Sequence, residues 1–285
     1  MLLKEYYRLT KPGIIYGNLM TTIAGFFLAS THVIDWRLFV AVCLGVGLVI
    51  GASCAANNVI DRDIDSKMKR TQKRALVTGR ITPKSASIFA AILGIIGFAD
   101  LLIFTNYLTA IIGLIGCLDY LYFYGVAKRN TIHSTLIGSI SGATPILAGY
   151  VSVAGHLSLV GISLFVVLVI WQMPHFYAIA INHLNQYRMA ELPLLPLKVS
   201  IRHTKIQMVG YIVCFIVASQ LPTLLHVCGS VYCVCMLGLG LAWLYIALRG
   251  FSTTSDQKWA KSIFRFSLVV ILLFSVLLSF GRRLA

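Results

Sequence analysis

Asn57, Asp61 and Asp65 recur at intervals of four in a chain of 285 residues that holds only nine acidic side chains. On a helix of about 3.6 residues per turn, that spacing sets three oxygen-bearing side chains on one face, each about 6 Å above the last. Asp63 is out of phase and turns elsewhere. Two carboxylates and an amide oxygen suit Mg2+, which takes hard oxygen ligands and keeps waters or substrate phosphates in its remaining positions. Arg62, Lys67, Lys69, Arg70, Lys73 and Arg74 crowd the same stretch, and Lys128 and Arg129 follow later. Guanidinium groups grip phosphate oxygens through paired hydrogen bonds. A metal flanked by such cations is what a diphosphate leaving group requires, because charge accumulates on its bridging oxygen as the neighbouring bond breaks. The same cluster also reads as surface ion pairs in a solvated loop.

The elements that must hold these residues are membrane helices. The chain is 58% apolar and only 12% charged, whereas an average soluble domain has about a quarter of its residues charged. Apolar stretches long enough to cross roughly 30 Å of hydrocarbon fall at about 13–31, 37–58, 86–104, 107–127, 134–154, 158–180, 206–225, 229–248 and 262–281. They are too long and too uniformly apolar for the strands of a barrel, and the first lacks the cleavage site of a removable signal. The expected fold is all-α, with nine transmembrane helices in a single membrane-embedded domain over residues 1–285.

Of the 24 Lys and Arg residues, all but Arg37, Arg282 and Arg283 fall on one side of that arrangement. The positive-inside rule makes that side cytoplasmic, with the N-terminus inside and the C-terminus outside. This topology accounts for the net charge of +15, which is therefore not read as a nucleic-acid footprint. Two long inner loops, 59–85 and 181–205, each follow an apolar run that ends in polar residues, and chemistry is expected there. The seven cysteines lie mostly in or beside spans. They read as small buried apolar residues, with a disulfide among Cys228, Cys233 and Cys235 as the alternative.

The run from Asn57 to Gly79, NNVIDRDIDSKMKRTQKRALVTG, resembles the first aspartate-rich motif of the intramembrane aromatic prenyltransferases. More narrowly, DRDID followed by MKRT and a further arginine is similar to the protohaem IX farnesyltransferase family. TKPGII at 10–15, KRNTIHSTLIGSISGATP at 128–145, WQMPHFYAIAI at 171–181 and LPLLP at 192–196 agree with it. The likeness covers essentially the whole chain. It implies a helical bundle in a bacterial inner membrane around a central, lipid-accessible cavity, with its polar cap on the cytoplasmic side. The implied reaction joins farnesyl diphosphate and water to the 2-vinyl group of haem b, giving haem O and diphosphate. Haem O would then serve a terminal oxidase directly or as a precursor of haem A, so an oxidase or assembly partner is implied besides haem b, farnesyl diphosphate and membrane lipids. Asn57, Asp61 and Asp65 would hold Mg2+ and diphosphate, Arg70, Arg74, Lys128 and Arg129 would support phosphate, and His175 would face haem. Pro174 is expected to break or kink its helix and turn His175 toward a cavity. Tyr120, Tyr122, Phe123, Tyr124, Phe176 and Tyr177 are either cation-sheltering faces or ordinary membrane packing.

The second loop departs from the family's pattern. An acidic residue is expected immediately before Tyr187 and an arginine at position 183, where this chain has Gln186 and His183. Either Gln186 or Asn182 ligates in the acid's place, or Glu191 compensates from the loop, or activity is reduced. Three other functions compete. A prenyltransferase acting on a quinone precursor such as 4-hydroxybenzoate would share the diphosphate site. A transporter would use Pro-broken helices and a central polar zone, and a haem-binding assembly protein would release no diphosphate.

Overall fold

The structure, a computed structural model, describes residues 2–31 and 33–281. Arg282 and Arg283 lie outside the described residues. The helices are α1 (Leu2–Leu9), α2 (Pro12–Ala29), α3 (Trp36–Ile60), α4 (Arg62–Lys67), α5 (Pro83–Phe104), α6 (Tyr107–Leu118), α7 (Tyr124–Asn130), α8 (Ser134–Ala154), α9 (Leu159–Asn182), α10 (Leu184–Met189), α11 (Leu195–Lys198), α12 (Ile201–Ala218), α13 (Leu221–Leu224), α14 (Ser230–Leu248) and α15 (Asp256–Phe280). A π-helical turn, Asp119–Phe123, welds α6 to α7. Among the described residues, nine helical segments are long and apolar enough to cross a membrane, and the chain is a multi-pass membrane protein.

Three of these spans start several residues earlier than hydropathy alone indicates. Thr82, Ser200 and Ser255 accept hydrogen bonds from Ser85, His203 and Lys258 backbone N–H groups, so α5, α12 and α15 begin in polar sequence. A side-chain oxygen at the N-cap satisfies an otherwise unpaired donor, and hydropathy does not register it. Asn106 and Ser158 cap α6 and α9 in the same way.

Each span packs on its neighbour in sequence, and the ninth (α15) returns to the first (α2), closing a ring. α2 also crosses α8, and α9 also packs on α15. The α2–α8 crossing depends on absent side chains. A Cβ on Gly25 would lie 2.1 Å from the Ile146 carbonyl oxygen, and one on Gly149 would lie 2.0 Å from that of Thr22. Membrane helices gain little from burying apolar surface against each other, so close backbone approach through small residues is a main source of their association. The long loops 61–82 and 183–200 both emerge at one end of this ring, the end that carries the polar cluster.

Candidate active site

α3 does not run smoothly into the loop. It ends at Ile60, Asp61 forms the joint with φ −93° and ψ 10°, and α4 resumes at Arg62. The hydrogen-bond ladder survives that joint, because Asp61 N–H donates to Asn57 O at 2.9 Å and Asp65 N–H to Asp61 O at 2.8 Å. Asn57, Asp61 and Asp65 therefore keep their common face.

A second ladder stands opposite on the fourth span, where Tyr120, Tyr124 and Lys128 are also spaced by four. Tyr120 Oη donates to Asn57 Oδ1 at 3.2 Å, and Lys128 Nζ bonds Asp61 Oδ2. The rings of Tyr120 and Tyr124 stack at 5.8 Å, and Lys128 lies over Tyr124 at 5.3 Å. The π turn at Asp119–Phe123 inserts one residue per turn relative to α-helical phase, a feature that recurs at functional sites. Tyr124 fits only because residue 138 is glycine, since a Cβ there would meet its ring at 2.6 Å. Tyr122, Phe123 and Phe176 instead face outward and are exposed, while Tyr177 is buried and donates to Gln207 at 3.1 Å.

The cations predicted for phosphate mostly pair with the carboxylates. Arg74 Nη1 reaches Asp65 Oδ2 at 2.5 Å and Asn58 Oδ1 at 3.1 Å. Arg129 forks onto Asp63 at 2.7 and 2.9 Å and lies 3.6 Å from Asp61. The hydrogen bond from Arg129 holds the Asp63 carboxyl down at about 2. Any stability from this exposed pair is thus present above the ordinary carboxylate range and lost as pH falls toward 2. The 68–82 loop aims Arg74 by folding back: Ala75, Leu76 and Ile81 pack with Leu9, Ala55 and Ala86, and Thr71 Oγ1 donates to Asp65 O at 2.9 Å. Arg70 stands exposed without a hydrogen bond among the described residues; burial, and to a lesser extent the Arg70 charge, lower the pKa of His183.

Among the described residues, three buried polar atoms of the sequence-predicted residues make no hydrogen bond: Asp61 Oδ1, which has only the Arg129 guanidinium at 3.6 Å, Asn57 Nδ2 and Gln186 Oε1. Buried polar atoms are almost always satisfied, so each such orphan calls for an explanation. Gln186 belongs to α10, which lies over α4, with Tyr187 and Leu192 packed against Ile64, Met68 and Ala190. Asn182 instead turns its amide to His183 at 3.4 Å. Glu191 is not brought to the cluster. Its backbone is left-handed at φ 58°, its side chain is 81% exposed, and its partner is the surface residue Lys67 at 3.2 Å. Among the described residues, no group of three His, Cys, Asp or Glu side chains gathers closely enough to hold a metal.

His175 lies deeper. α9 runs unbroken through Pro174, and the imidazole is buried rather than swung out: it stacks on Trp171 at 4.7 Å and leans on Phe264 at 5.0 Å. Its Nδ1 is 2.7 Å from Ser267 Oγ. Neighbouring helices fill the space around a membrane proline, so the missing N–H need not break the helix.

Sequence reasoning did not single out Lys11 as part of the cluster. Its ammonium donates to Asn57 Oδ1 at 2.9 Å and Tyr120 Oη at 3.3 Å, and burial lowers its pKa. Its φ of 51° is strained for a lysine. No spacing signals its place, since it lies 46 residues from Asn57, and Pro12 by itself would bias Lys11 toward extended backbone. Asn58 was missed too, although it ties α1 to the site by donating to Leu9 O at 2.8 Å.

The described residues thus place a cluster of paired carboxylates, arginines and lysines at one end of nine membrane-length helices, the arrangement of a polytopic membrane protein with a polar cap. The chain belongs to the UbiA prenyltransferase family, whose sequence model matches residues 18–269. It is 45% identical over 279 residues to the Protoheme IX farnesyltransferase of Protochlamydia amoebophila, covering 98% of this chain and 99% of that one. It is 43% identical over 280 residues to the protein of that name from Yersinia enterocolitica, covering 98% and 95%. In fold it is similar to a digeranylgeranylglyceryl phosphate synthase structure, with a TM-score of 0.81, 21% identity and 98% of both chains covered. A UbiA homologue from Archaeoglobus fulgidus, solved with GPP and Mg2+, gives a TM-score of 0.75 at 14% identity, covering 96% of this chain and 99% of that one.

Proposed function

We propose that this chain is a Mg2+-dependent enzyme that transfers the farnesyl group of farnesyl diphosphate to the 2-vinyl group of haem b, with addition of water, to give haem O and diphosphate. The observation that carries the chemistry is the facing pair of ladders, Asn57–Asp61–Asp65 and Tyr120–Tyr124–Lys128, with Asp61 Oδ1 making no hydrogen bond among the described residues. The acceptor follows from the near full-length likeness to the relatives named above.

The residues fit the ion: Asp61, Asp65 and the Asn57 amide are hard oxygen donors, and Asp61 Oδ1 makes no hydrogen bond, only a 3.6 Å ion pair with Arg129. Bound there with the substrate, Mg2+ would offset the charge gathering on diphosphate. Arg70 is a free guanidinium for the terminal phosphate, while Lys128, Arg74 and Arg129 exchange part of their carboxylate contacts for phosphate oxygens. As the allylic C–O bond breaks, its electron pair leaves with diphosphate. The vinyl group supplies the pair for the new carbon–carbon bond, and water then captures the porphyrin-stabilised cation and loses a proton. The Tyr120 and Tyr124 faces shelter positive charge and keep water from the first cation. Gln186 takes the place of the second-loop acid with a neutral oxygen, weakening the grip on the ion. The long-loop end is cytoplasmic in this reading, and the product passes to an oxidase or its assembly partner.

Purified protein in detergent, given Mg2+, farnesyl diphosphate and haem b, should form haem O by mass spectrometry. Gln186→Asp should raise the rate roughly tenfold, equivalent to about 1.4 kcal/mol of added charge stabilisation. Transfer to 4-hydroxybenzoate instead of haem b, or no haem O from either protein, would refute the assignment. Gly138→Ala should lower turnover roughly ten- to a hundredfold by pushing Tyr124 off its stack, since displacement of about 1 Å near reacting groups has that effect. Gly210→Ala, with open space around its Cβ, is the matched control and should not change it.

A further inference from the structure

Two cavities that the diphosphate chemistry does not use meet beside α3. The first, of about 390 Å³, lies between α5 and the fourth span with α3 as its floor, and Ala52, Ala56, Ala91, Gly94, Cys117 and Leu121 are among its walls. The second, of about 500 Å³, continues it past Val59 and Ile60, which line both, to Arg62, Asp63 and Ser66 on α4. Each lies within the roughly 300–1,000 Å³ of ligand sites. The groove has a local cause. Only Thr105 and Asn106 join α5 to α6, so the two helices stay close at that end, where a Cβ on Gly113 would meet Leu101 at 3.4 Å. Toward the long-loop end the cavity separates them, and α5 turns Ser87, Ala91 and Gly94 into it at helical spacing, too short to close the gap. Helical phase sets the groove face of α3, with Ala52, Ala56 and Ile60, apart from Asn57, Asp61 and Asp65.

Length and charge identify the occupant. From Val49 to Ile60 the groove follows α3 for about 16 Å at 1.5 Å per residue, half of the roughly 30 Å hydrocarbon core of a bilayer. It therefore serves one leaflet, and its polar end begins where the span itself ends, at Ile60. Asp63, the carboxylate of that end, is already neutralised, since Arg129 holds both its oxygens at 2.7 and 2.9 Å. Arg62 is exposed and has no hydrogen bond or ion pair among the described residues. An apolar trough one leaflet deep that ends at an unpaired guanidinium matches a lipid with an anionic headgroup, because arginine grips phosphate oxygens in pairs and a cation at this level attracts anionic lipid. Leu121, which lines the trough, belongs to the π turn that carries Tyr120, so a bound chain packs against the back of that turn.

We infer that this groove binds one anionic phospholipid of the leaflet at the long-loop end, with an acyl chain between α5 and the fourth span and its phosphate on Arg62. Native mass spectrometry of the full-length protein tests this, with the protein released from detergent containing phosphatidylglycerol or phosphatidylcholine of the same chains. The parent should retain one phosphatidylglycerol in clear preference to phosphatidylcholine. Arg62→Gln should weaken the retention of phosphatidylglycerol roughly fivefold, the effect of removing one cation that faces an anionic lipid. Ala91→Phe and Ser87→Phe, both at exposed positions, should fill the trough and abolish retention. Lys261→Gln removes an exposed cation outside the groove and should match the parent. A parent that holds the two lipids equally, or an Arg62→Gln protein that holds phosphatidylglycerol as the parent does, would overturn the assignment. Unchanged retention in both Phe variants would do the same. Displacement of the lipid by excess farnesyl diphosphate would make the groove a prenyl site, and a dimer that both Phe variants disrupt would make it a contact between two copies; either result overturns the proposal.

Discussion

Asp61→Asn should reduce haem O formation by roughly 10²–10³-fold, the usual loss when one electrostatic contact to a developing charge is removed from a water-poor site. The substitution keeps the shape of the side chain and removes its charge. Two functions fail together. The Oδ1 that makes no hydrogen bond no longer offers a charged ligand, and Lys128, whose side chain is only 7% exposed, loses the carboxylate that neutralises it. Asp63→Asn is the internal comparison, because Asp63 points away and its side chain is 62% exposed on the Arg129 fork. Its effect should stay within about twofold, since exposed ion pairs contribute little. Haem binding, measured separately, should survive in both variants. An Asp61→Asn enzyme retaining more than a tenth of parental turnover would remove Asp61 from the reaction.

The contrast between Asp61 and Asp63 is legible in the sequence, because helical phase separates 57, 61 and 65 from 63. The nine spans are legible for an equally direct reason, since apolar length is what a bilayer demands. Pairing is not. Helical phase says which face a side chain takes and is silent on which distant helix meets it. The Tyr120–Tyr124–Lys128 ladder has the same spacing as its partner, yet in sequence it shows only aromatics and a phosphate cation. Lys128 bonds Asp61, and Arg74 bonds Asp65. The rule that pairs them is physical, as a carboxylate shielded from water must be compensated, but the choice of partner comes from the packing of the fourth span on α3 for Lys128 and from the fold of the 68–82 loop for Arg74. Lys11 is hidden by its 46-residue separation from Asn57.

The second loop divides in the same way. Glu191 is a reasonable compensating acid on composition alone, being the sole carboxylate of its region. Its left-handed backbone turns it to Lys67 in the open. Gln186, which composition makes inconspicuous, carries the buried unpartnered oxygen. Burial, which the sequence does not state, separates the two.

Arg74→Met should be the most destabilising single change in the cluster. Asp65 has a side chain only 5% exposed, and Arg74 is its one ion-pair partner among the described residues, at 2.5 Å. Removing one partner of a buried pair leaves an uncompensated charge and typically costs about 3–5 kcal/mol. Because the Arg74 side chain is 32% exposed, the expected loss lies at the lower end of that range. Arg74 also bonds Asn58, which donates to Leu9 O, so α1 should loosen with the loop and become open to protease. Asp65→Asn in the same background takes away the stranded charge. The double variant should therefore melt closer to the parent than Arg74→Met alone, a strongly non-additive cycle, although both proteins should be inactive. Thermal unfolding in detergent, read for all four proteins, decides the point. Additive losses would mean that Asp65 is already protonated or hydrated, and that Arg74 acts on phosphate alone rather than also holding the loop against α4.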